Sequence, residues 1–191
     1  MKKTNVYLDM DGTIADLYNE KNWLEDLMAS NTRPFENAKP LISEKTLLET
    51  FPKEKYEIKI LSMTPKNATR EYCKRVEKAK NEWLNKYFPT LTKRIYLPYG
   101  NNKNLKNSKN AILVDDSEPI RNTYKGLALN PSTLWAWVSA LVPVPKRHRF
   151  FLTGTRPGAP VSVAPARNSH YNTSTQFCQV FFELCEIMWN S

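Results

Sequence analysis

The residues Thr4-Asn5-Val6-Tyr7-Leu8-Asp9-Met10-Asp11-Gly12-Thr13 set two carboxylates, Asp9 and Asp11, directly after a short apolar run. In an extended strand, residues i and i+2 share a face. Gly12 follows at once and lets the backbone turn sharply, so both carboxylates can converge on one metal ion and one substrate atom. Such a pair can supply a nucleophile and a proton donor. Taken alone, an Asp-x-Asp pair is equally well a solvated turn, so the chemistry needs partners at the ends of other strands.

Those partners are present. Glu57-Ile58-Lys59-Ile60-Leu61 predicts a second strand ending in Ser62, and Ala111-Ile112-Leu113-Val114 another, ending in Asp115-Asp116. Between them lies Arg94-Ile95-Tyr96-Leu97, followed by the loop Pro98-Tyr99-Gly100-Asn101-Asn102-Lys103, and Leu127-Ala128-Leu129 predicts a fifth strand. Short β-branched runs separated by helical stretches predict βαβ units, an α/β class and a mainly parallel sheet. Open sheets of that kind bind ligands beyond the carboxyl ends of their strands, which is where these polar residues fall.

Asp9-Met10-Asp11-Gly12-Thr13, Ser62, Lys103 and Asp115-Asp116, in that order, resemble the four motifs of the haloacid-dehalogenase-like (HAD) phosphohydrolases. More narrowly, Ile60-Leu61-Ser62, Lys80-Asn81-Glu82-Trp83-Leu84-Asn85-Lys86-Tyr87-Phe88-Pro89, Gly100-Asn101-Asn102-Lys103 and Ile112-Leu113-Val114-Asp115-Asp116 are similar to the 5'(3')-deoxyribonucleotidase branch. The resemblance covers roughly residues 4 to 130. One local departure is that Ser117-Glu118-Pro119-Ile120-Arg121 precedes Asn122, where related sequences often carry Asp-Asp-x-x-x-Asn.

The resemblance implies a Rossmann-like HAD fold with a small helical cap inserted after the first strand, at about residues 16–56. It implies Asp9 as nucleophile on phosphorus and Asp11 as the acid that protonates the leaving oxygen and then the base that activates water. It further implies Mg²⁺ held by a carboxylate oxygen of Asp9, the backbone carbonyl of Asp11, and Asp115 and Asp116, either of which could bind directly or through water. Ser62 would donate to a phosphoryl oxygen, with Thr64 a nearby rival. Lys103 would neutralise developing charge, with Lys106 and Lys109 as rivals, and Thr13 would support the phosphate loop. The expected substrate is a nucleotide or another small phosphomonoester, with a 5'(3')-deoxyribonucleotide first. The alternatives are a nucleic-acid 3'-phosphatase and a non-catalytic phosphate- or partner-binding module.

The remaining segments fill in the frame. Trp23-Leu24 with Leu27-Met28 makes an i, i+1, i+4, i+5 apolar stripe, predicting a short helix that ends near Asn31 to Pro34. A second runs from Thr46 to Phe51, with Ser43 as N-cap and Pro52 as its stop. Lys66 to Phe88 predicts one long helix opening at Thr64-Pro65, with Tyr72, Val76, Ala79, Trp83 and Tyr87 facing the core. Glu71 with Arg75 and Glu82 with Lys86 are spaced as i, i+4 pairs on its wet side.

Composition shifts near residue 134: residues 1–134 hold 18 of the 19 lysines, and 135–191 only Lys146. We therefore divide the chain into a phosphatase-like domain at 1–134 and an atypical extension at 135–191, either a partner-binding tail or a frameshifted or read-through end. Phe177, Val180, Phe181, Leu184 and Met188 predict a terminal amphipathic helix there. His148 and His170 have no carboxylate or cysteine at ligand spacing and are expected to be bystanders.

A balance of 28 basic against 19 acidic residues gives +9, which favours anionic partners. No dense basic run with interleaved aromatics points to nucleic acid, so that partner is not favoured. Cys73, Cys178 and Cys185 have no framework spacing and are expected to be free thiols. A cytoplasmic protein without a membrane span is expected: the apolar start is cut by Asp9 and Asp11, and no run reaches the roughly 20 residues a membrane helix needs. No Ser-His-Asp arrangement, paired Cys-x-x-Cys or Gly-rich nucleotide loop occurs, which disfavours an NTP-dependent kinase.

Overall fold

Five short parallel strands carry the described residues. In the computed structural model, which describes residues 2–141, they are β1 (Thr4–Leu8), β2 (Tyr56–Met63), β3 (Arg94–Leu97), β4 (Ala111–Val114) and β5 (Leu127–Leu129), in the order β3-β2-β1-β4-β5. The described residues fall within one compact unit, Met1–Pro145. The expectations for Cys178, Cys185, His148, His170 and the helix from Phe177 lie outside them. The parallel sheet and its intervening helices give the predicted α/β class.

Parallel neighbours cannot be joined by tight hairpins and need crossover connections, which is why helical segments alternate with strands. β4 is buried along its whole length, as the Ala-Ile-Leu-Val sequence suits a strand covered on both faces. Residues in register share a face. Leu8 lies opposite both Ile60 and Val114, so Val6, Leu8, Ile60, Ile112 and Val114 form one buried surface. Tyr7, Leu61, Ala111 and Leu113 form the other, packed by Ile120 and Tyr124.

Among the described residues six α-helices accompany the strands: α1 (Trp23–Met28), α2 (Arg33–Asn37), α3 (Glu44–Thr50), α4 (Arg70–Tyr87), α5 (Glu118–Thr123) and α6 (Pro131–Leu141). α4 reaches the sheet on the Ile60/Ser62 face through Lys80. α5 covers the opposite face through Ile120. α6 runs across residue 134, where composition changes, and Trp135 Nε1 donates to the Thr13 carbonyl at 2.8 Å. No helix among the described residues is long and apolar enough to cross a membrane.

The helical insertion after β1 is tied to both its neighbours. Ala15 bridges Pro40, Asp16 N donates to the Lys39 carbonyl and Leu41 N to that of Ile14. Three α4 side chains hold backbone carbonyls of the insertion: Tyr72 OH on Asn31 at 2.8 Å, Arg75 on Ser30 at 3.1 Å and Trp83 Nε1 on Ala38 at 2.6 Å. Leu17 and Phe35 pack with Tyr72, Val76 and Ala79 beneath them.

Several boundaries differ from the sequence expectation. β2 runs through Ser62 to Met63, because pairing with β3 continues as Ser62↔Tyr96 and Met63↔Leu97. The long helix begins at Arg70, not in the Thr64-Pro65 region; Asn67 is left-handed at φ 55° and Thr69 is the N-cap, accepting from Tyr72 N. Pro34 does not end a helix but lies in the first turn of α2, where its missing N–H costs nothing. Of the stripe on α1, Leu24 and Met28 are exposed, Met28 by 80%. Glu82 pairs with Lys78, while Lys86 lies over the Tyr87 ring. Ser43 caps α3 as expected, accepting from Thr46 N at 3.1 Å, and Cys73 is a free thiol.

Candidate active site

Asp9 leaves β1 with its amide still bonded to the Val114 carbonyl at 2.9 Å, so its position is fixed by the sheet. The chain then folds on itself: the Met10 carbonyl accepts from the amides of Thr13, Ile14 and Ala15, and Gly12 N donates to Ala15. Met10 and Ile14, both fully buried, anchor the turn. Gly12 sits at φ +73°, and a Cβ there would fall 2.5 Å from Tyr18 Cε2 and 2.6 Å from Asp116 Oδ2. Backbone conformation and close approach both demand glycine at this position.

The second acidic pair is built the same way from β4. Asp115 N bonds to the Leu129 carbonyl at 3.2 Å, and Asp115 Oδ1 accepts from Ser117 N at 2.9 Å. Arg121, on the last turn of α5, donates one guanidinium nitrogen to the carbonyls of both Asp115 and Asp116. The departure Ser117-Glu118-Pro119-Ile120-Arg121 thus still opens a helix, with Ser117 as N-cap residue.

Asp9, Asp115 and Asp116 each offer a carboxylate oxygen, and those oxygens lie within 4.8 Å of one another. An octahedral ion with bonds of about 2.1 Å sets its ligand oxygens about 3 to 4 Å apart. An all-oxygen trio at this spacing suits a hard divalent cation with little adjustment. Electrostatics agree: burial, then the charges of Asp9 and Asp115, push Asp116 up to about 7. Burial and the Asp9 charge likewise raise Asp115 against the pull of Lys103. A cluster that resists its own ionisation is short of positive charge.

Two buried lysines supply part of that charge. Lys103 donates to Asp9 Oδ1 at 2.7 Å and to Asp115 Oδ2 at 2.6 Å. Burial alone would lower its pKa, but the two carboxylates outweigh burial and hold the ammonium above its usual range. Lys106 and Lys109 are exposed on the same loop. Lys80, fully buried on α4, donates to Asp11 Oδ2 at 2.6 Å, Ser62 Oγ at 2.9 Å and the Met63 carbonyl at 2.8 Å. Burial keeps the Asp11 carboxyl above the ordinary range in spite of Lys80, and the Asp9 charge adds to the effect.

The sequence-derived residues are therefore gathered at one rim, with differences in detail. The Asp11 carboxylate is not one of the three that share the cation position; its Oδ2 is on Lys80 and its Oδ1 is buried without a partner. Ser62 is fully buried and reaches the group through Lys80. Thr64 instead donates its hydroxyl to the Leu97 carbonyl at 3.4 Å. Thr13 is fully buried, with its Oγ1 unpartnered and its carbonyl held by Trp135.

Three contributors escaped sequence reasoning. Arg121 lay in the segment taken only as a departure. Tyr18, half exposed, lies across Gly12 and meets Trp23 edge-on at 5.1 Å; burial and the nearby Asp116 charge raise its phenol above the usual range. Lys80 is the third, and its signal was visible: it stands between Val76 and Leu84 at i±4 on an otherwise apolar face. A lysine there must either break the core or find anions within it. Neither a protein-family model nor a curated protein matches the sequence.

Proposed function

We propose that the protein is a Mg²⁺-dependent phosphomonoester hydrolase of the HAD type, with a 5'(3')-deoxyribonucleotide as the expected substrate. The observation that carries this reading is the meeting of Asp9, Asp115 and Asp116 within 4.8 Å at the carboxyl rim of a parallel sheet, with Lys103 between Asp9 and Asp115. Resemblance to the deoxyribonucleotidase branch supplies the substrate class. The helices inserted after β1 would serve as the cap over the leaving group.

In this reading Asp9 attacks phosphorus, the bond to the ester oxygen breaks, and an aspartyl-phosphate forms. Asp11 gives a proton to the departing oxygen; burial raises its affinity for protons above that of an ordinary carboxyl, which favours that role. Water then attacks the same phosphorus while Asp11 takes a proton from that water, so the bond from phosphorus to Asp9 breaks, inorganic phosphate leaves and both aspartates return to their starting state. Lys103 has two of its three N–H groups on Asp9 and Asp115, which leaves one for a phosphoryl oxygen. Ser62 would donate its hydroxyl to another. A cation held by Asp9, Asp115, Asp116 and the Asp11 carbonyl would offset the repulsion between these carboxylates and a phosphate dianion.

The test compares the wild type with Asp9→Asn on dUMP, dTMP, an aryl phosphate and a 3'-phosphorylated oligonucleotide, with Mg²⁺. Wild-type release of phosphate from the mononucleotides, reduced at least about 10³-fold in Asp9→Asn, is expected. Equal release by both proteins would remove Asp9 as nucleophile. Preference for the oligonucleotide would replace the substrate while leaving the chemistry in place.

A further inference from the structure

Lys80 has no surface exposure, yet it carries a charge into the interior beside the site. Burying an ammonium is expensive unless every N–H is matched. An ammonium has three N–H groups, and Lys80 commits them to Asp11 Oδ2, Ser62 Oγ and the Met63 carbonyl. The Phe35 ring of the insertion closes the remaining side, 5.0 Å from the nitrogen. Nothing is left with which Lys80 could hold a phosphoryl oxygen, in contrast to Lys103.

Its effect on its partners is directional. Asp11 is gripped by Oδ2 alone, while Oδ1 lies buried with no partner. An unpaired buried acceptor costs about 1–3 kcal/mol, so an orphaned oxygen beside a reaction centre marks an atom kept open for a transient partner. Ser62 Oγ accepts from Lys80, which leaves its O–H free to donate outward.

We propose that Lys80 is a positioning residue: by holding Asp11 through Oδ2 and Ser62 through its oxygen lone pair, it makes Asp11 Oδ1 the proton-transfer atom and the Ser62 hydroxyl an obligate donor to substrate. The inference rests on the phosphohydrolase reading. Its consequence is a dependence on the leaving group. Alkoxide departure from a nucleotide needs a proton from Asp11, whereas 4-nitrophenolate departs without one. Whatever Ser62 and packing contribute is shared by both esters.

The experiment measures kcat/KM of wild type and Lys80→Met on dUMP and 4-nitrophenyl phosphate, together with calorimetric binding of inorganic phosphate in Mg²⁺. Expected is a loss of about 10² to 10³-fold on dUMP, at least tenfold smaller on the aryl ester, with phosphate affinity changed less than about threefold. Equal losses on both esters, or weakened phosphate binding with undiminished kcat, would overturn the positioning role. Melting temperatures of Lys80→Met, Asp11→Asn and the double variant form a second arm. The clamp predicts a double variant more stable than the two losses summed; additive losses would refute it. The neutral Met/Asn pair leaves no buried charge, so if Lys80→Met is too unstable to melt, a double variant that folds is the clamp's expected result and one that does not fold refutes it. If the wild type hydrolyses no phosphomonoester, the phosphohydrolase reading falls, and the melting cycle still decides whether Lys80 holds Asp11.

Discussion

Three carboxylates around one point repel each other, and Asp116 bears the clearest mark of that repulsion. Its proton affinity, raised to about 7 by burial and by the charges of Asp9 and Asp115, ties pH to both stability and cation binding. An unfolded aspartate titrates near 3.9, so between about pH 4 and 7 the folded chain holds a proton on Asp116 that the unfolded chain has lost. Stability from this group is therefore present at low pH and falls as pH rises through 7. A divalent cation should reverse the trend by replacing the proton. We expect Mg²⁺ to raise the melting temperature more at pH 8 than at pH 5.5, and Asp116→Asn to flatten both slopes. Differential scanning fluorimetry of the two proteins, with and without Mg²⁺, measures this; an equal Mg²⁺ shift at both pH values in the wild type would contradict it.

At the scale of elements, α4 joins two jobs in one helix. Lys80 reaches the site from it, and Tyr72, Arg75 and Trp83 hold the carbonyls of Asn31, Ser30 and Ala38. Removing one such bond while leaving the carbonyl partly buried costs about 1 kcal/mol or somewhat more. Tyr72→Phe should therefore destabilise the protein by that order and speed amide exchange in residues 23–37 more than in β1 or β4. Hydrogen exchange read by mass spectrometry resolves the two regions, and uniform acceleration would show that the helix does not hold the insertion. The same elements show what the sequence could reveal. The central strands were legible because unbroken apolar runs such as Ala111–Val114 have few other uses, and Ser43 announced α3 through its side chain. The start of α4 was less visible: Thr64-Pro65 and Thr69 are both acceptable openings, and only the left-handed Asn67 separates them. Asp9, Asp11, Asp115 and Asp116 could be read from strand-end position. Lys80 could not be assigned a partner, because Asp11 lies 69 residues away along the chain and only the parallel crossover brings them together.

For the whole molecule, the question is whether a net charge of +9 guides anions to this rim. Lys2 and Lys3 line one shallow hollow, and Lys3, Lys53 and Lys93 another, at the amino ends of β1 and β2. A strand of five to eight residues separates these ends from the carboxyl rim by about 17 to 26 Å. The screening length is about 10 Å at 0.1 M salt, so this basic end is largely hidden from a substrate at the site. Locally, the carboxyl groups of Asp9, Asp11, Asp115 and Asp116 outnumber the two ammonium groups of Lys80 and Lys103 that face them, so the site itself holds no excess of positive charge. We therefore expect kcat/KM for dUMP to change less than about threefold between 0.1 and 0.5 M NaCl at fixed free Mg²⁺. A fall of more than tenfold would mean that the basic surface does feed the site. A steep fall confined to a 3'-phosphorylated oligonucleotide would mean instead that the same lysines track a nucleic-acid backbone, since each phosphate they neutralise adds to the salt slope.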